Sequence, residues 1–156
     1  MDNGTKQELM DGARAGGICA DGFSRLRSLT PDGLLDYYVQ NPDWCMERNY
    51  PRLDFLREHS NDDRTRKSGI FIDRHFSGKL FDDRLVYIFH HCTGLVRVAL
   101  NVEKELIPML YFANGCDITV RCYEHIRIPL YILGNNDVRT DGDAKYIRHT
   151  SKIITP

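Results

Sequence analysis

The sequence predicts a mainly β protein, a short parallel β-solenoid (β-helix) of about three to four coils preceded by a helical N-terminal cap segment. Three observations predict it. Apolar residues in the first third recur at helical spacing. From Ser68 onward they gather in short β-branched and aromatic runs separated by turn residues. Three of those runs share one layout, a tyrosine followed five residues later by Cys or Asn and then a second β-branched run. The alternative is an antiparallel β-sandwich whose strands share composition only.

In chain order, residues 1–29 read as weakly helical, broken at Gly16-Gly17 and Gly22, with Ile18, Phe23, Leu26 and Leu29 as one apolar face. Thr30-Pro31-Asp32 gives an N-cap, a proline at the first helical position and an acidic first turn. Leu34, Leu35, Tyr38 and Val39 follow at helical spacing, and Asn41-Pro42 ends that helix. Pro42 opens a shorter turn through Trp44, Cys45 and Met46, and Pro51 opens a helix carrying Leu53 and Leu56. The polar stretch from His59 to Lys67 separates the two halves, so the expected division is 1–67 and 68–156 within one compact domain.

The repeat runs Tyr87 to Cys92, Tyr111 to Cys116 and Tyr131 to Asn136, with Phe71 as a degenerate earlier copy. No coil of this length buries its own apolar residues; stacked coils bury them in a shared column. A small residue fits a sharp corner, and an Asn there can bond to the equivalent position of the neighbouring coil. Both ends of a short stack expose unpaired backbone groups, so the helical segment is expected to cover one end. Homo-oligomerisation, as a trimer or dimer, is expected to supply burial that so few coils lack.

Composition narrows the function. The formal net charge is −1, which disfavours nucleic acid and anionic membranes as general partners. No apolar run reaches the length of a membrane span, and the polar start at Met1 to Met10 lacks the pattern of a signal peptide. The five cysteines, an odd number without C-x-x-C spacing, suggest reduced thiols and a cytoplasmic setting. His90, His91 and Cys92 with His125 are the nearest approach to a zinc set, but strand neighbours diverge, so no metal and no cofactor is expected. The same divergence disfavours a Cys/His nucleophile pair. Gly12 to Gly17 lacks the lysine and preceding strand of a phosphate loop.

The tyrosine-led segments resemble the coils of parallel β-helix proteins over residues 68–140. The chain also resembles short phage and prophage proteins of Bacteroides-type gut bacteria. In those, a helical opening like Gly17-Ile18-Cys19 and Asp43 to Pro51 leads into a segment like Gly69 to Asp73 and a strand array. That resemblance implies a phage-linked role and supplies no catalytic residues.

Three function classes follow. The first is a non-enzymatic, oligomeric structural or interaction protein presenting a rigid β-helical surface to a protein partner. The second is a phage counter-defence protein that blocks a host factor or sequesters a small anionic ligand, with Arg97, Arg121, Arg127 and Arg139 as anion contacts. The third is a carbohydrate-active enzyme. Asp117 and Asp137 follow the corner positions, and stacking would set them about 5 Å apart, within range for a pair of glycosidase carboxylates. Asp is equally at home in solvated turns, and no residue is assigned a catalytic role. Arg64, Arg66 and Lys67 form a basic cluster diluted by Asp62 and Asp63.

Overall fold

The computed structural model describes residues 31–58 and 68–151 of the 156. Two compact units occur, one within Met1–Ser68 and one spanning Gly69–Lys152. The readings made at residues 1–30 and 59–67, including the Thr30 cap and the Arg64 cluster, lie outside the described residues.

In the first unit, α1 spans Pro31–Gln40, α2 Pro42–Glu47 and α3 Leu53–Glu58. Leu34, Leu35 and Tyr38 of α1 are buried, as helical spacing requires. Asn41 closes α1, its side-chain amide donating to the Tyr37 carbonyl at 3.1 Å, and Pro42 starts α2 where a missing N–H costs nothing. The third helix begins at Leu53 rather than at Pro51, and Phe55 joins Leu56 on its buried face. No helix among the described residues is long and apolar enough to cross a membrane.

Among the described residues the second unit has nine strands: β1 Ile70–Ile72, β2 His75–Phe81, β3 Val86–His90, β4 Thr93–Val98, β5 Met109–Phe112, β6 Asp117–Cys122, β7 Arg127–Leu133, β8 Asp137–Gly142 and β9 Lys145–Ser151. They form two sheets, β1-β3-β5-β7-β9 and β2-β4-β6-β8. Every strand pairing is parallel. Successive strands therefore alternate between sheets, one coil resting on the last. This is a parallel β-solenoid of about four turns, and it excludes the antiparallel sandwich.

The core lies between the sheets. Phe71, Phe89 and Phe112 form its spine, stacked at 5.6 Å and 5.3 Å between ring centroids. Facing them from the second sheet are Phe76, Phe81, Val96, Val98, Ile118, Val120 and Val138. Complete burial of a phenylalanine such as Phe89 stabilises by about 2 kcal/mol.

The tyrosine register differs from the sequence reading. Tyr111 and Tyr131 are partners and stack at 4.3 Å, but Tyr87 pairs with Leu110, and Ile88 pairs with Tyr111. A one-residue slip reverses the side-chain face. Tyr87 accordingly belongs to the core and accepts hydrogen bonds from the Asp83 and Arg84 amides, both at 3.0 Å, whereas Tyr111 and Tyr131 lie on the opposite face of their sheet. The cause is the corner: two residues separate Phe89 from Cys92, and three separate Phe112 from Cys116.

The corner residues themselves remain aligned. The Asp117 amide bonds to the Cys92 carbonyl and the Asp137 amide to the Cys116 carbonyl. Each corner side chain then reaches the same place one coil back: Cys92 Sγ to Phe71 O at 3.4 Å, Cys116 Sγ to Phe89 O at 3.4 Å, and Asn136 Nδ2 to Phe112 O at 3.5 Å. Asn136 Oδ1 also accepts the Cys116 N–H at 2.9 Å, a direct bond between stacked corners.

Candidate interaction surface

Two exposed regions of the solenoid carry most of its chemistry: the outer face of the four-stranded sheet and the edge where its strands turn back to the five-stranded sheet.

The outer face is set by register. His75, Thr93, Asp117 and Asp137 form one row, Ser77, Leu95, Thr119 and Arg139 a second, and Leu80, Arg97, Arg121 and Asp141 a third. A bulge at Gly78 makes this pattern possible. It turns Leu80 outward and Phe81 inward, where strict alternation would do the reverse.

The predicted arginines are distributed, not gathered. Arg97, Arg121 and Arg139 occupy this face on successive strands, while Arg127 is on β7 of the other sheet, opposite Lys145. Arg139 bridges Asp117 and Asp137, each at 2.7 Å, and its Nε reaches Thr119 Oγ1 at 3.2 Å. Arg121 pairs with Asp141 at 2.8 Å, which holds the Asp141 carboxyl below its usual range. Arg97 Nε donates to the Gly78 carbonyl at 2.6 Å.

Asp117 and Asp137 are ladder neighbours, as stacking requires. The Arg139 guanidinium, however, stands between them, where a glycosidic oxygen would have to enter. Chemically the trio is a clasp joining two coils.

Cys92 and Cys116 are core residues whose thiols burial pushes up to about 12 and about 11. They are protonated and unreactive at neutral pH. His90 is buried on the other face of β3, and His91 takes a positive φ of 51° at the corner. Among the described residues no three His, Cys, Asp or Glu side chains are placed to hold a metal ion.

The turn edge was not singled out from sequence. It comprises residues 82–85, 99–108, 123–126 and 143–144. Among the described residues, the exposed large hydrophobics are Leu80, Leu85, Val102 and Tyr123, and all four lie on this edge or within two residues of it. Around them are six carboxylates, Asp82, Asp83, Glu103, Glu105, Glu124 and Asp143, against the two cations Arg84 and Lys104.

The turns are fastened to one another. Lys104 Nζ pairs with Asp83 at 2.8 Å, holding its carboxyl below the usual range, and Glu124 accepts the Leu100 amide at 3.2 Å. Tyr87 anchors the first turn from inside. Exposed apolar groups on a backbone held this way are already ordered before any partner arrives. Separate apolar residues carry no sign that they share an edge; only the coil register places them there.

Comparison with protein-family models, curated proteins and solved structures finds no match.

Proposed function

We propose that this chain is a non-enzymatic interaction protein, and that the turn edge is the surface it presents. The observation that carries this is the gathering of Leu80, Leu85, Val102 and Tyr123 on one pinned, acidic edge. Exposed apolar and aromatic groups set among charged ones are features of a protein–protein contact. Excess carboxylate selects a partner surface that is basic and apolar. For a phage-encoded chain such a partner would be a host factor.

The test is titration of the full chain with a synthetic amphipathic peptide of leucine and lysine, beside a leucine–glutamate control. The lysine peptide should bind and the glutamate peptide should not. Tyr123→Ala with Leu85→Ser should weaken binding about tenfold or more, the loss typical of a contact centre. Equal binding by wild type and this variant would remove the turn edge from consideration. Light scattering on the same samples decides whether the dimer or trimer expected of a short stack forms.

A further inference from the structure

Along most of the solenoid the core-facing register positions are apolar. Ile128, Leu130 and Ile132 of β7 are typical. Three strands depart from this: β8, where Thr140 is in register with the core residue Val120, and two that place a cation at such a position, the first strand of the four-stranded sheet and the last of the five-stranded sheet.

In β2, Lys79 is in register with the core residue Val96. The Gly78 bulge delivers it there. Its ammonium lies over the rings of Phe71 and Phe81, 5.2 Å and 5.5 Å from their centroids, a cation–π contact on the aromatic cluster of the first coil.

In β9, the partners of Ile128, Leu130 and Ile132 are Tyr146, Arg148 and Thr150. A polar row replaces an apolar one within a single coil. Arg148 reaches across to the other sheet, Nη1 donating to the Val138 carbonyl at 2.9 Å and Nη2 lying 3.5 Å from Thr140 Oγ1. The Tyr146 hydroxyl spans the same gap to the Val120 and Asp141 carbonyls, at 3.3 Å and 2.5 Å.

We infer that inward-placed cations close the column at both ends, Lys79 at the first coil and Arg148 at the last, so that copies of this chain do not stack end to end. A further coil laid on either end would have to bury an ammonium or guanidinium against its own apolar column. An unpaired buried charge costs more than the new strand pairing returns. Inward-pointing charge on an edge strand is a known defence against this kind of association. Self-association, where it occurs, is thereby directed to the sides of the solenoid.

The test uses Arg148→Met and Lys79→Met in the full chain. Methionine keeps the aliphatic stem and removes the charge. Mass is followed by size-exclusion chromatography with light scattering over a wide concentration range, and β content by circular dichroism. Wild type and Arg148→Lys should hold a constant mass. Each methionine variant should at least double its weight-average mass at the highest concentration while keeping its β signal. Folded methionine variants that keep the wild-type mass would overturn the inference. The two variants sit on opposite ends, so loss of fold in one leaves the other decisive. Loss of fold in both also overturns it, since the cations would then be holding the column together and not closing it.

Discussion

Replacing Gly94 by alanine isolates the closeness of the stacked coils. Gly94 takes a core-facing position opposite Phe76, with φ +103°. A Cβ there would be driven into the Phe76 carbonyl oxygen, with the Phe76 carbonyl carbon and His75 Cε1 both at 3.0 Å. The unfavourable backbone angle costs an L-residue about 1–2 kcal/mol. Relieving the clash means moving β4 away from β2 and losing part of a ladder bond, about 1–3 kcal/mol more. Gly78→Ala is the control. Its φ is +96°, but the nearest atoms to a new Cβ are Arg97 Nε at 3.8 Å and a Leu95 methyl at 3.9 Å, so only the conformational cost applies. Urea unfolding followed by the β signal should show Gly94→Ala losing about 2–5 kcal/mol and Gly78→Ala about 1–2 kcal/mol. With a slope of about 2 kcal/mol per molar urea, the midpoints fall by about 1–2.5 M and about 0.5–1 M. Equal losses in the two variants would show that the coils are not packed at this spacing.

Asn136→Ala removes the acceptor of the Cys116 amide and the 2.8 Å bond to the Leu133 carbonyl, so it should destabilise by about 1–3 kcal/mol in the same assay. Asp117→Asn combined with Asp137→Asn should cost less than Asn136→Ala, because the clasp they form with Arg139 is exposed; a larger loss would mean the clasp holds the coils. Cys92 and Cys116 have folded-state values raised above the ordinary thiol range, so their contribution to stability is complete at neutral pH. It fades as pH rises from about 9 towards the folded values of about 12 and about 11, and Cys92→Ser with Cys116→Ser should flatten that alkaline decline in a thermal-melt series. Peptide mapping after brief alkylation near pH 8 should find Cys92 and Cys116 unlabelled in the folded chain and labelled in denaturant.

The solenoid was legible because its determinants are local and repeated. The runs at 86–89, 107–112 and 126–133 announce strands by composition, though β5 and β7 begin only at Met109 and Arg127, and Cys92, Cys116 and Asn136 mark corners that stack in register. Tyr87 misleads for a physical reason. Spacing from tyrosine to corner is five residues in all three segments, yet a corner one residue shorter moves Tyr87 from the outer face to the core. Counting residues cannot separate strand from corner when both vary by one. Lys79 is hidden similarly: a bulge at Gly78 inverts the alternation after it, and a lone glycine in a strand only hints at this. Arg97, Arg121, Arg127 and Arg139 were named as anion contacts, but the carboxylates that engage two of them come from the neighbouring coil, Asp141 for Arg121 and Asp117 for Arg139, so that pairing was not visible. The turn edge was the least legible, since Leu85, Val102 and Tyr123 sit far apart in sequence.

Coil lengths are unequal: Ile88 follows Ile70 by 18 residues, Tyr111 follows Ile88 by 23, and Tyr131 follows Tyr111 by 20. Much of that difference leaves the stack through residues 99–108, whose Asn101–Leu106 bridge closes a small projecting loop. Chain length at this margin is thus uncoupled from the pitch of the column. Residues can be added or exchanged there while the interior keeps the same geometry.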